Sequence, residues 1–176
     1  MFRFSIKHMA VVIAGVILFF VIGRFIVIPS GVSNISISMQ YGVLAFVATV
    51  FGPIAGLLTG LIGHFLVDAS YGWGVWWSWV ISSAVFGCLV GLFAVKLEID
   101  ETGFNKKGII LFNIVQLLAN LIAWAVIAPV LDIVIYGEQA NRVFVQGLAS
   151  AGINTVTTAV IGTLLCVSYD RIIHKR

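Results

Sequence analysis

The chain has 176 residues, of which 61% are hydrophobic and 10% charged, with a formal net charge of +3. With a mean hydropathy of +1.13 it has too little polar surface for a water-soluble globule, so an integral membrane protein is expected. Its apolar runs of about twenty residues suit helices crossing a hydrocarbon core of about 30 Å, and they lack the alternation of an outer-membrane barrel. The expected fold is all-α: one membrane domain over 1–176, a bundle of six transmembrane helices.

The first run, from about Met9 to Ile28, follows Arg3 and Lys7 but is too long for a signal peptide, and no small-residue cleavage site follows it. It is read as helix 1. Within it Ala10 and Ala14 leave two bare patches on one face, where another helix can approach closely. Arg24, about one turn from the helix end, is placed to snorkel to the interface. The stretch 29–38, PSGVSNISIS, loses hydrocarbon character and reads as a loop. Its Asn34-Ile-Ser36 matches a glycosylation sequon, a weak signal.

Helix 2 is expected from about Met39 to Phe51, with Gln40 and Tyr41 in its first turn, and Gly52-Pro53 then makes a tight turn. Helix 3 runs over about 54–69. Gly56, Gly60 and Gly63 give it a small face suited to close packing. His64 and Asp68, four apart, are neighbours on one face. A metal pair would need further ligands that the sequence does not supply nearby, so no metal is expected.

Next comes the segment 64–80, HFLVDASYGWGVWWSWV, which sets Trp73, Trp76, Trp77 and Trp79 beside Asp68 at the end of an apolar run. Indoles favour membrane interfaces, so an aromatic belt is one reading. Only Trp124 lies elsewhere, which makes a belt one-sided. The other reading is a platform and lid for a flat, polar small molecule, hinged at Gly72 and Gly74.

Helix 4, from about Val75 to Val95, carries Gly87 and Gly91 as a second small pair. A charge-rich loop leads to helix 5, from about Ile109 to Ile135, which Pro129 is expected to bend near its end. There Asn113, Gln116, Asn120 and Trp124 recur at steps of three or four. Helix 6, from about Val143 to Ile173, carries a second stripe in Gln146, Ser150, Asn154 and Thr157 or Thr158. Polar side chains at membrane depth are costly unless they meet one another, water or a ligand. Interhelical bonding and a ligand cavity both satisfy that demand. Cys88 and Cys166 sit singly in apolar runs and read as packing residues, with no disulfide implied.

Arg3, Lys7, Lys96, Lys106, Lys107, Arg171, Lys175 and Arg176 fall at the termini or in the loop after helix 4, whereas Arg24 and Arg142 lie near the opposite side. The positive-inside rule therefore puts both termini in the cytoplasm. The outer face then receives the stretch 29–38, the segment from Asp68 to Trp79 and the connection after helix 5. At a rise of about 1.5 Å per residue Asn120 and Asn154 come to similar depths near the midplane, with Gln116 nearer the cytoplasm and outside the expected site.

No GxxxxGK[ST], HExxH or GxSxG motif is present, so neither ATP hydrolysis nor a familiar hydrolytic site can be placed, and no catalytic residue is expected. A binding or transport role remains. One version is a stand-alone proton-coupled carrier in which His64 and Asp68 relay the proton.

The Ala10-Val-Val-Ile-Ala14 pattern, Gln40-Tyr41, Phe51-Gly-Pro53, Gly63-His64 and the Trp73–Trp79 segment resemble the S component of an energy-coupling factor (ECF) transporter over nearly the whole chain. Within that family the likeness is to the group assigned to hydroxymethylpyrimidine, a thiamine precursor, or to pyridoxine. The resemblance implies a prokaryotic plasma-membrane protein that captures a vitamin outside and docks on a T subunit and two ATPases. It implies that Ala10 and Ala14 contact the T subunit and that the S component topples to release its cargo. ATP would be used by those separate chains, so no cofactor is expected here. Gln40, Asp68, Trp73, Trp76, Trp77, Asn120 and Asn154 are the candidate substrate-binding residues. The expected partners are the vitamin, the transporter subunits and membrane lipid, with no nucleic acid.

Overall fold

The computed structural model describes residues 6–94, 99 and 103–174. The expected end of helix 4 at Val95, most of the charge-rich loop, and the charges of Arg3, Lys96, Lys175 and Arg176 lie outside the described residues. The chain runs α1 (Ile6–Phe25), β1 (Val27–Pro29), β2 (Ser36–Ser38), α2 (Gln40–Phe51), α3 (Pro53–Tyr71) and α4 (Trp77–Ala94). It continues through α5 (Lys106–Asn120), a π-helical segment (Leu121–Ile127), α6 (Ala128–Tyr136) and α7 (Ala140–Ile173). Among the described residues four continuous helical rods are long and apolar enough to cross a membrane, His8–Phe25, Pro53–Tyr71, Lys106–Tyr136 and Ala140–Ile173. Gln40–Phe51 and Trp77–Phe93 are shorter apolar helices.

Three expectations need correction. The stretch read as a loop contains a small antiparallel hairpin, in which Val27 faces Ser38, Ile28 faces Ile37 and Pro29 faces Ser36. Ser30 closes its turn by donating from Oγ to the Ile35 carbonyl at 2.6 Å, and Asn34 takes positive φ. Helix 1 accordingly ends at Phe25, ahead of Ile28. The second correction is at helix 4, which begins at Trp77 because Gly72 and Gly74 both adopt positive φ just before it. The third is at helix 5. Proline has no N–H, and its ring crowds the carbonyl four residues back. Here the backbone widens into a π-helical segment ahead of Pro129, where only a bend near the helix end was expected.

Small residues set the closest helix approaches, as the glycine spacing predicts. A Cβ on Gly56 would run into the Gly87 carbonyl, one on Gly60 into the Ser83 carbonyl, and one on Gly91 into the backbone of Gly52 and Pro53. The pairs read separately in helices 3 and 4 are therefore two halves of one α3–α4 contact. Gly63 instead faces the Phe19 ring of α1. Around this seam α1 packs on α2 and α3, α2 on α7, and α5 with its π extension on α7. Phe19, Tyr41, Leu44, Phe86, Phe112 and Trp124 fill the centre.

The two chain reversals beside the outer connections use left-handed residues that only glycine adopts without strain: Gly72 ends α3 and Gly137 ends α6. α5 starts on Asn105, whose side chain accepts from the N–H groups of Lys107 and Gly108 at 2.9 and 3.1 Å. This is an N-cap, satisfying donors that the first helical turn leaves free.

Gly87→Ala is expected to destabilise the protein by about 1–3 kcal/mol, because its Cβ meets backbone that cannot swing away. Gly152→Ala, with open space at its Cβ position, should be neutral or stabilising by up to about 1 kcal/mol. Thermal melting in detergent checks the contrast, and equal melting temperatures would mean that the α3–α4 seam is not tight.

Candidate functional site

The N-terminus of α4 brings most of the candidate residues together. A helix start leaves four backbone N–H groups without intrahelical partners and carries partial positive charge. Here side chains from other helices supply the acceptors. Asp68 of α3 accepts from the Trp76 N–H at 3.0 Å, and the Tyr136 hydroxyl of α6 accepts from the Trp77 N–H at 2.9 Å. Asp68, expected as a substrate-binding residue, is thus bonded to the backbone of the Trp-rich segment.

Asp132, a residue the sequence reading did not single out, is the stronger anchor. Its side chain is 1% exposed. The indole N–H of Trp76 donates to Oδ1 at 2.6 Å, the indole N–H of Trp79 donates to Oδ2 at 2.8 Å, and the Ser78 hydroxyl also donates to Oδ1. An ionised carboxylate is acceptor-only, and three converging donors suit it. The available signal was an acid inside an apolar helical run, which marks a special site at membrane depth. The regular stripe from Asn113 to Trp124 drew the reading away from it.

The four tryptophans divide. Trp76 and Trp79 are tied to Asp132, with Trp76 stacked on Tyr136 at 4.5 Å between ring centroids. Trp73 is 70% exposed and stacks on Tyr71 at 4.4 Å, and the Arg24 guanidinium lies over the same Tyr71 ring at 4.3 Å. Trp77 is exposed and leans on Phe65. Trp73 and Trp77 therefore form a rim, not a surface continuous with Trp76 and Trp79.

Below the clasp a second polar group joins α2, α3 and α4. The Nδ1 of His64 is hydrogen-bonded to the Ser83 hydroxyl, with the Tyr41 hydroxyl 3.4 Å from the same nitrogen. His64 Nε2 lies 3.5 Å from Asp68 Oδ1, as the four-residue spacing predicts. Tyr41 then meets Trp124 edge-on at 4.9 Å, and Trp79 lies nearly parallel to Trp124 at 5.6 Å. An unbroken aromatic and polar train connects the start of α4 to the middle of α5–π–α6.

Buried polar atoms with no hydrogen-bond partner among the described residues are Gln40 Oε1, Asn120 Oδ1, Trp124 Nε1 and Thr158 Oγ1, together with the hydroxyls of Thr49, Thr59 and Thr155. Gln40 fills the notch left by Gly23 of α1. The Asn120 amide donates to the Gln116 backbone carbonyl and to Gln116 Oε1, both at 2.9 Å. Gln116 is thus joined to Asn120. α7 runs antiparallel to α5, pinned where Asn113 donates to Thr163 at 3.1 Å and where Gly147 admits the Trp124 carbonyl. Between these pins buried Asn154 comes level with Asn120. At the outer end Gln146 of α7 donates to the Ser33 carbonyl at 2.9 Å and holds the hairpin in place. Ala10 and Ala14 lie apart from all of this on an exposed face of α1.

Fold and site together define a helical, multi-pass membrane protein with a polar, aromatic interior. Residues 3–171 match the family model described as ECF-type riboflavin transporter, S component. Two curated relatives, both UPF0397 proteins of Staphylococcus aureus, from the bovine RF122/ET3-1 strain and from strain MSSA476, are each 46% identical over 165 residues, covering 94% of this chain and 90% of the relative. The chain belongs to the ECF-type riboflavin transporter S component family, whose members are substrate-binding subunits that work with T and ATPase subunits in bacterial membranes. The match carries the S-component assignment and not the hydroxymethylpyrimidine or pyridoxine grouping.

Asp132→Leu is expected to lower the melting temperature strongly, since each buried donor left unpartnered costs about 1–3 kcal/mol. Tryptophan emission should shift as Trp76 and Trp79 come loose. Asp132→Asn keeps one acceptor and should lose less. Unchanged melting of Asp132→Leu would show that the clasp carries no weight.

Proposed function

We propose that this chain captures a small, flat, water-soluble vitamin or vitamin precursor at the outer side of a bacterial membrane and delivers it inward by docking on a T subunit served by two ATPases. In this reading the chain crosses the membrane six times, with both termini in the cytoplasm. The skew of Lys and Arg toward the termini and the start of α5 supports that orientation. Hydroxymethylpyrimidine and pyridoxine are the substrates favoured by the sequence likeness, and the family description adds riboflavin. All three carry a heteroaromatic ring.

The observation that carries the reading is the set of unpartnered polar atoms in Gln40, Asn120, Trp124 and Thr158. Buried polar groups are nearly always hydrogen-bonded, and each exception asks for an absent partner. A ligand is such a partner in a substrate-binding subunit. Buried Asn154, at a depth similar to that of Asn120, belongs to the same proposed site, with Asp68, Trp76, Trp73 and Trp77 at its entrance. The proposed docking face is the exposed side of α1, where Ala10 and Ala14 sit among exposed Met9, Ile13, Ile17 and Leu18. Its small residues admit close approach of a partner helix.

The contact between His64 and Asp68 favours a second reading, proton-coupled uptake without any ATPase. Uptake that survives deletion of the ATPases would select it.

Replacing Ala10 and Ala14 with Trp should abolish vitamin uptake in cells while leaving affinity in detergent within about twofold, because bulk on that face blocks only the partner. Uptake of labelled vitamin and calorimetric titration of the purified variant make the comparison. Parallel loss of uptake and binding in folded protein would assign these alanines to the bundle and not to docking.

A further inference from the structure

The seam between α3 and α4 leaves a trough at its side. Backbones touch at Gly56 with Gly87 and at Gly60 with Ser83. The residues that follow these in sequence, Leu57 and Leu61 on α3 and Ala84 and Cys88 on α4, share one flank of the contact. Ala84 and Cys88 are too small to fill that flank, while Leu57, Leu61, Ile81 and Leu89 wall it in. The cavity measures about 310 Å³, or about 600 Å³ with its open side counted, and no polar atom lines it. The hydroxyls of α4 face the other way: Ser78, Ser82 and Ser83 are fully buried, with Ser82 donating to the Ser78 carbonyl at 2.7 Å.

Depth and size decide what lies there. The trough sits midway along both helices, so in a membrane hydrocarbon surrounds it, and a water inside would find no hydrogen-bond partner. A partner helix is too thick. From Ile81 to Leu89 the trough runs about 12 Å along α4, and a helix about 10 Å across takes up roughly 900 Å³ over that length. The free space is about 600 Å³ at most. A single hydrocarbon chain, whose carbons touch their neighbours at about 4 Å, fits and gives the walls the contacts that an empty trough forfeits. The two ends differ. Phe65 and Trp77, one turn beyond Leu61 and Ile81, bridge the helices with ring centroids 5.8 Å apart and close one end. The other end, past Leu57 and Leu89, meets exposed Ile54 and Phe93.

We propose that this trough binds one acyl chain of a membrane phospholipid, which enters past Ile54 and Phe93 and ends against the Phe65–Trp77 pair. The chain completes the packing of the α3–α4 seam on the side that the protein leaves open. Selection is by chain and not by headgroup, because no charged or polar side chain lines the site. The site requires only that α3 and α4 lie in a membrane, and it does not depend on what the interior binds or on which subunits dock.

Native mass spectrometry of the purified full chain, in a bile-salt detergent whose fused rings are too broad for the trough, tests this. With dioleoyl phosphatidylglycerol or dioleoyl phosphatidylcholine added, one lipid per chain should be retained, equally for the two headgroups. Cys88→Phe and Ala84→Leu put side-chain carbon where the acyl chain lies, and each should cut retention about tenfold or more. The same lipids should raise the melting temperature of wild type and not of the filled variants. Leu148→Phe, at an exposed position of α7, should retain lipid as wild type does. Wild type also gives a readout without substitution: either lipid should slow alkylation of Cys88 by an uncharged maleimide, Cys166 being fully buried and silent. Equal retention by wild type and both filled variants, or unchanged alkylation of Cys88 at saturating lipid, overturns the proposal. Retention of the phosphatidylglycerol alone overturns it as well, by assigning the binding to a headgroup site elsewhere. So does loss of uptake in Cys88→Phe with lipid retention unchanged, which would give the trough to a protein partner.

Discussion

The start of α4 depends on acceptors that its own sequence does not supply. Gly72 and Gly74 break the chain just ahead of it, and the helix opens on bulky indoles with no local capping side chain to receive the first N–H groups. Asp68 and Tyr136 reach in from α3 and α6 to do so, while Asp132 of α6 holds the Trp76 and Trp79 side chains through their indole N–H groups. In a low-dielectric interior each such bond is stronger than its counterpart in water. The position of α4 in turn fixes the glycine seam with α3 and lays Trp79 on Trp124. Two carboxylates thus help place both the close α3–α4 packing and the aromatic wall of the proposed site.

The second constraint is length. α2 has 12 residues, a rise of about 18 Å, against a hydrocarbon core of about 30 Å. The chain makes up the difference with the β1–β2 hairpin, whose strands satisfy one another's backbone groups and whose turn is bonded to Gln146. Non-helical backbone is tolerated at membrane depth only where protein or a water-filled cavity surrounds it. Gln40, buried in the first turn of α2 next to the hairpin, is the first polar residue of that helix.

What the sequence revealed follows from the range of the interactions involved. Apolar run lengths located every long helix, and spacings of four paired His64 with Asp68 and aligned Gly56 with Gly60, because those relations lie within one element. The stripes of Asn120 and Asn154 were legible for the same reason. The partners of Trp76 and Trp79 were not, since Asp132 lies more than fifty residues away and only the folded chain brings it near. Nor was the π segment, whose extra width shifts the register of everything after Leu121 relative to a 3.6-residue repeat. The Gln116–Asn120 bond, by contrast, follows from a four-residue step on one helix.

α1 has two unlike faces, and that asymmetry bears on how capture and docking communicate. Its inner face is joined to the bundle through close approaches: Gly15 against Thr59 and Val47, Phe19 against Gly63, and Gly23 against the Gln40 carboxamide. Its outer face, with Ala10 and Ala14, is bare. Gln40 therefore stands between the proposed ligand site and the helix proposed to dock, touching α1 with the same carboxamide whose Oε1 lacks a partner. Coupling between distant sites travels through contiguous packed elements with more than one arrangement. A ligand that engages Gln40 must alter its fit in the Gly23 notch, and any tilt imposed on α1 by a partner must be felt by Gln40 in return, since linkage is reciprocal. The tight inner face and the bare outer face are thus complementary parts of one requirement: α1 must move with the bundle as a rigid body while presenting a surface on which another protein can press.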